Sequence, residues 1–210
     1  MSDETPRGRR ITVVLAALVL LTGVVLVALT MSGSDRPGAN DPEPGFARDM
    51  STHHAQAVRM SFIVRDRTDD RDVRLLAYDI INTQSAQIGM MTAWLDEWGL
   101  PKTDPAGPMR WMSGHAGHGG QDGRGAAAMP GMATREQLAE LEKASGRAAE
   151  VMYLRLMTAH HRGGVDMAEA VIALTGHDRV RRLARTMVDG QQSEITQMNA
   201  MLRERGAPSA

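Results

Sequence analysis

Four of the seven histidines stand as two adjacent pairs, His53-His54 and His160-His161. Methionines flank each pair, Met50 and Met60 around the first and Met157 and Met167 around the second. On a helix turning 100° per residue, His53 lies about 20° from Met60 and His54 about 40° from Met50, so imidazole and thioether share a face. Imidazole with thioether is a donor set for Cu(I), and imidazole alone also accepts Cu(II) or Zn(II). The alternative is a polar core in which paired histidines bond to carboxylates or carbonyls. A second group is spaced differently. Met109, Met112, His115 and His118 recur at every third residue, and Met129 and Met132 flank Pro130-Gly131. Glycine surrounds them, so the segment can wrap a soft metal ion and leaves no core for these side chains to fill. The competing reading is a compositionally biased linker in which methionine has no role. Met90, Met91, Met187, Met198 and Met201 fall at helical core spacing and are read as packing, as are Trp94, Trp98 and Trp111.

Composition narrows the chemistry. The chain has 210 residues, enough for one domain of ordinary size plus a tail. It contains no cysteine, which excludes disulfides, thiolate zinc sites, iron–sulfur clusters and thiol mechanisms. Sixteen methionines against two Phe, two Tyr and three Trp invert the usual core ratio, leaving the thioether as the available soft ligand. A net charge of -1 provides no positive field for a nucleic-acid backbone, so nucleic acid is not an expected partner.

Residues 11–30 are twenty uncharged residues, long enough as a helix to cross a hydrocarbon core of roughly 30 Å. Arg7, Arg9 and Arg10 precede them, which places residues 1–10 in the cytoplasm and the rest outside. The expectation is a membrane anchor with an extracytoplasmic domain, at the cell surface or in the periplasm. Cleavage near Ser32-Gly33-Ser34 would instead release a secreted protein. Residues 31–44, rich in Gly, Pro, Ser and Asp, read as a stalk.

The elements that must position the histidines repeat. Residues 46–99 match 153–206 without a gap, at a constant offset of 107 that superposes Phe46 on Tyr153, both His pairs, Gln84 on Gln191 and Gly99 on Gly206. Each copy reads as two helices. In the first, a helix through Val64 is followed by a polar turn, Arg65 to Arg71, whose Asp66, Asp69 and Asp70 read as solvated. A second helix runs from about Asp72 to Trp98 and stops at Gly99. The second copy turns at Thr175-Gly176, and His177 stands where the first copy has Asp70. Thr134 and Gln137 form a capping box that opens a short extra helix before Ser145-Gly146. The fold class expected is all-α: an antiparallel four-helix bundle over residues 45–206, built from two hairpins around a pseudo-twofold axis, with a Met/His-rich linker at 99–133.

The pattern Phe46-x-x-x-Met50-x-x-His53-His54-x-x-Ala57-x-x-Met60 returns as Tyr153-x-x-x-Met157-x-x-His160-His161-x-x-Gly164-x-x-Met167, with Met129-Pro130-Gly131-Met132-Ala133-Thr134 closing the linker. Over residues 43–206 this resembles the family known as domain of unknown function 305. The resemblance implies a ferritin-like bundle, export or membrane anchoring, and copper binding and tolerance in the periplasm. It also implies a role for an acidic residue three before the aromatic, Glu43 and Glu150 here. The departures are Tyr153 for Phe and the glycines Gly163-Gly164 after the second pair, which cost the helix about 1 kcal/mol each relative to Ala.

The functional expectation is a non-catalytic protein that holds copper, Cu(I) above all, outside the cytoplasm. A metal-transfer protein and a second copy of the chain are partners compatible with that reading. A metal-free helical module for protein interaction is the alternative. A ferritin-like metal oxidase ranks lower, because no Glu stands three residues before any paired histidine.

Overall fold

The computed structural model describes residues 18–20, 22, 36–112 and 129–210, and divides into two units, Met1–Arg36 and Pro37–Ala210. In the first, Leu18, Val19, Leu20 and Thr22 are helical, with the Thr22 hydroxyl donating to Leu18 O at 2.6 Å. The rest of the apolar run 11–30 lies outside the described residues. Among the described residues, no helix is long and apolar enough to cross a membrane.

The second unit carries five α-helices and, among the described residues, no strand. Helix α1 (Pro42–Arg65) begins with proline, whose missing N–H costs nothing in a first turn. Helix α2 (Arg71–Trp98) is capped by the Asp70 carboxylate, which accepts from the amides of Asp72 and Val73, and ends at Gly99 in the left-handed region, φ 69°. Residues Arg110–Met112 form a 3-10 turn. Helix α3 (Arg135–Lys143) has both bonds of the expected Thr134–Gln137 capping box. Helices α4 (Gly146–Leu174) and α5 (Asp178–Glu204) complete the second copy.

Each copy is a helical hairpin, α1 on α2 and α4 on α5, and the two hairpins meet through α1 and α4. The core divides into two apolar clusters. One holds Met60, Leu76, Tyr153, Met157 and Met198, and the other Phe46, Met50, Met91 and Met167. The offset of 107 converts members of one into members of the other, as a pseudo-twofold relation requires. Fully burying side chains of this size contributes roughly 1.5–3 kcal/mol each. Met91, Met187, Met198 and Met201 are packing residues as expected, whereas Met90 is 48% exposed.

Polar contacts repeat the symmetry. Thr175 Oγ1 donates to Glu43 at 2.5 Å, and its counterpart Thr68 donates to Glu150 at 2.6 Å. Each repeat's first helix is thus tied to the other repeat's turn. The expected solvated turn is built differently at Asp70, which caps α2 and pairs with Arg205 Nη2 at 2.7 Å. Arg205 also holds Glu150 at 2.7 Å, so the chain end returns a cation to this turn.

Candidate metal centre

The four paired histidines are wholly buried, His53 and His160 meeting where α1 faces α4, and His54 and His161 reaching α2 and α5. His53 and His160, equivalent in the repeat, stack with ring centroids 3.7 Å apart and planes 31° from parallel. His54 and His161 lie to either side, each 6.3 Å from its sequence neighbour's ring.

Every Nε2 is engaged. His53 donates to Pro130 O at 3.1 Å and His160 to His53 O at 3.0 Å. His161 meets a Glu194 carboxylate oxygen at 2.5 Å, and His54 meets Gln87 Oε1 at 2.7 Å. Carbonyl and carboxylate oxygens accept only, so each contact places a ring proton on Nε2, and in the neutral His53, His54 and His160 rings Nδ1 keeps its lone pair. None of the four Nδ1 atoms has a hydrogen-bond partner among the described residues. Burial also keeps the His53, His54 and His160 rings neutral. It lowers His53 to about 4 and His54 to about 3, and with the charges of the neighbouring histidines it holds His160 well below the usual range.

A buried glutamine lies one helical turn from each outer histidine's partner. Gln84 and Gln191 are equivalent, both buried, and lie one helical turn before Gln87 and Glu194. Gln84 Oε1 and both side-chain polar atoms of Gln191 lack partners among the described residues. Gly164 makes room for Gln191, since a Cβ there would overlap its amide.

The linker enters asymmetrically. Pro130 O bonds the His53 ring where strict symmetry would use His160 O. Its seat is a notch at Gly163, because a Cβ at that position would overlap the Pro130 carbonyl. Gln56, the residue equivalent to Gly163, holds Ala133 by two bonds, accepting from its amide at 2.7 Å and donating to its carbonyl at 3.0 Å. The two glycines therefore serve close approach within an unbroken helix.

Met50, Met60, Met157 and Met167 are wholly buried in the two apolar clusters. Contrary to the expectation that the linker offers no core, Met109 is buried in the second cluster, with Met112 and Met129 packed against it. The cause is Asp49. Its Oδ2 accepts from Met109 N at 2.7 Å and from Trp111 Nε1 at 2.8 Å, drawing the linker onto α1 and setting the Trp111 ring edge-on to Phe46. Burial raises the Asp49 pKa, and these two donors oppose the shift. Met132 is half-buried, and His115 and His118 lie outside the described residues. Among the described residues, no three His, Asp or Glu side chains converge as a ready metal cage. Sequence reasoning did not single out Gln87, Glu194 or Pro130 O. The signal for the first two was the same offset, which pairs 87 with 194 as it pairs the histidines.

An all-helical duplicated unit with buried, proton-directed histidines between its halves defines the class. Residues 43–202 match the family described as Domain of unknown function (DUF305), and the chain belongs to that family. A crystal structure of a DUF305 protein from Streptomyces coelicolor is 50% identical, with a TM-score of 0.75 over 82% of this chain and 99% of that one. A DUF305 fragment from Deinococcus radiodurans is 34% identical, with a TM-score of 0.65 over 80% and 99%. CopM in its Cu(I)-bound form shares the fold at 22% identity, with a TM-score of 0.58 over 77% and 96%. No curated protein matches the chain in sequence.

Proposed function

We propose that this protein binds copper outside the cytoplasm, buffering it or passing it on. The observation that carries the reading is the set of four buried imidazoles whose Nε2–H is committed to an oxygen and whose Nδ1 is left without a partner. Metal-bound histidines have this arrangement, with the second nitrogen donating to a carbonyl or carboxylate that fixes the tautomer and strengthens the ligand. The neutral rings of His53, His54 and His160 also require no deprotonation before they bind. Thioethers from Met50, Met60, Met157 and Met167, and from Met109, Met112, Met129 and Met132 in the linker, are the soft donors on this reading, with His115 and His118 as further imidazoles. The stacked His53 and His160 rings must part or turn for their in-plane lone pairs to meet a common ion. CopM, a structural neighbour, has been crystallised with Cu(I), Cu(II) and silver, which supports the choice of metal. A Streptomyces coelicolor relative described as a candidate secreted protein supports the location, with residues 11–30 as anchor or export signal.

The test is Cu(I) uptake by residues 37–210 in competition with a chromogenic chelator. Stoichiometric binding is expected, with a loss of at least tenfold in affinity when His53, His54, His160 and His161 are all replaced by Asn and helicity by circular dichroism is retained. Absence of binding by the parent overturns the reading.

A further inference from the structure

The inner imidazoles, His53 and His160, both rest on neutral backbone carbonyls, whereas the outer two differ in the charge of the group behind them. His54 rests on Gln87, a neutral amide, and its counterpart His161 rests on Glu194, a carboxylate. Among the described residues, Glu194 is the one carboxylate hydrogen-bonded or paired to any of the four histidines. Both halves also hold an unpartnered buried amide oxygen, Gln84 Oε1 and Gln191 Oε1, one turn from that group. Each half thus holds an imidazole Nδ1 and an amide oxygen without a hydrogen-bond partner among the described residues.

We propose that the two halves are inequivalent metal positions. The His161–Glu194–Gln191 half takes a divalent ion such as Cu(II), and the His54–Gln87–Gln84 half takes a monovalent soft ion, Cu(I) or Ag(I). This rests on the proposed function and assigns the charge of the metal within it. A buried ion needs compensating charge, and the attraction of one carboxylate for an ion at a given distance scales with the charge of that ion. The anion behind His161 therefore favours a divalent ion twice as strongly, in free energy, as a monovalent one. A hydrogen-bonded carboxylate also raises the donor strength of its imidazole more than an amide does. The neutral half offers no such compensation, so the lower ionic charge costs less there.

The experiment exchanges the two groups. Glu194→Gln and Gln87→Glu are nearly isosteric changes at half-buried positions, so circular dichroism and melting temperature are expected to stay close to those of the parent. Cu(II) is counted by electron paramagnetic resonance and its affinity measured by chelator competition, with Cu(I) measured separately under anaerobic conditions. Glu194→Gln is expected to weaken Cu(II) binding by about 10- to 100-fold and Cu(I) binding by no more than the square root of that factor. Gln87→Glu is expected to add a second Cu(II) equivalent, and the double exchange to restore one. Equal losses for the two oxidation states, or no effect of either change on a parent that binds copper, overturns the assignment and leaves the proposed function standing. A parent that takes up neither ion overturns both.

Discussion

A buried imidazole is tolerable while neutral and costly once protonated, which gives this centre a pH dependence of definite sign. His53 is lowered from 6.5 to about 4 and His54 from 6.5 to about 3, chiefly by burial. Between pH 6.5 and those values the unfolded chain binds protons that the folded chain refuses, so stability falls as pH falls through this window. The slope is up to about 1.4 kcal/mol per pH unit for each histidine, and above pH 6.5 these groups contribute none. Urea titrations at pH 7.5, 6 and 5 check this, and a flat profile contradicts it. A second residue-scale contrast is the exchange of Phe46 for Tyr153. The Tyr153 hydroxyl meets Ser61 Oγ at 2.9 Å, both wholly buried, and in the other half the equivalents are Phe46 and Ala168, likewise both wholly buried. Tyr153→Phe and Ser61→Ala should each cost about 1–2 kcal/mol by stranding a partner, and the double variant less than the sum. Additive losses in denaturant unfolding would rule out this coupling.

Among the elements, helix α4 and the linker constrain one another. Gly163 lies under Pro130, and Gly131 has φ 73° with no space for a Cβ against Ala159 O. Helix propensity alone says Gly163→Ala should gain up to about 1 kcal/mol. Overlap with the Pro130 backbone should reverse the sign, with a net loss of about 1–3 kcal/mol. Gly190, in α5 with open space around it, is the internal control, and Gly190→Ala should stabilise by about 0.5–1 kcal/mol. Thermal melts that rise for both variants would mean that the linker does not seat in the notch. Helix limits were legible where caps and stops are local, as at Gly99 and Thr134, but not at Asp70, read as solvated, nor at Pro42, which opens α1 inside the stretch read as a stalk. The purpose of Gly163 was not, because the backbone it admits lies far away in sequence.

At the scale of the molecule, the duplication creates pairs of contacts that are equivalent in place and unequal in strength. Glu43 and Glu150 each receive a threonine hydroxyl, but Glu150 also holds Arg205, itself largely buried and paired with Asp70. Glu150→Ala should therefore cost about 2–4 kcal/mol and Glu43→Ala about 1–2 kcal/mol. Equal losses on chemical denaturation would show that the Arg205 network contributes nothing.

What the sequence determined alone was carried by neighbours and by repetition: the helices, the Thr134–Gln137 capping box, the stop at Gly99, the offset of 107, and the equivalence of His53-His54 with His160-His161. Such signals survive because periodicity and capping act within a turn or two of the chain. Which ring nitrogen keeps its lone pair, and whether an amide or a carboxylate stands behind it, was decided by the tertiary structure. Those hydrogen bonds reach 33, 77 and 107 residues along the chain. The first closes when the two helices of a hairpin pack, and the other two only when α1 meets α4 and the linker folds back, approaches that no pattern within a turn or two of the chain encodes.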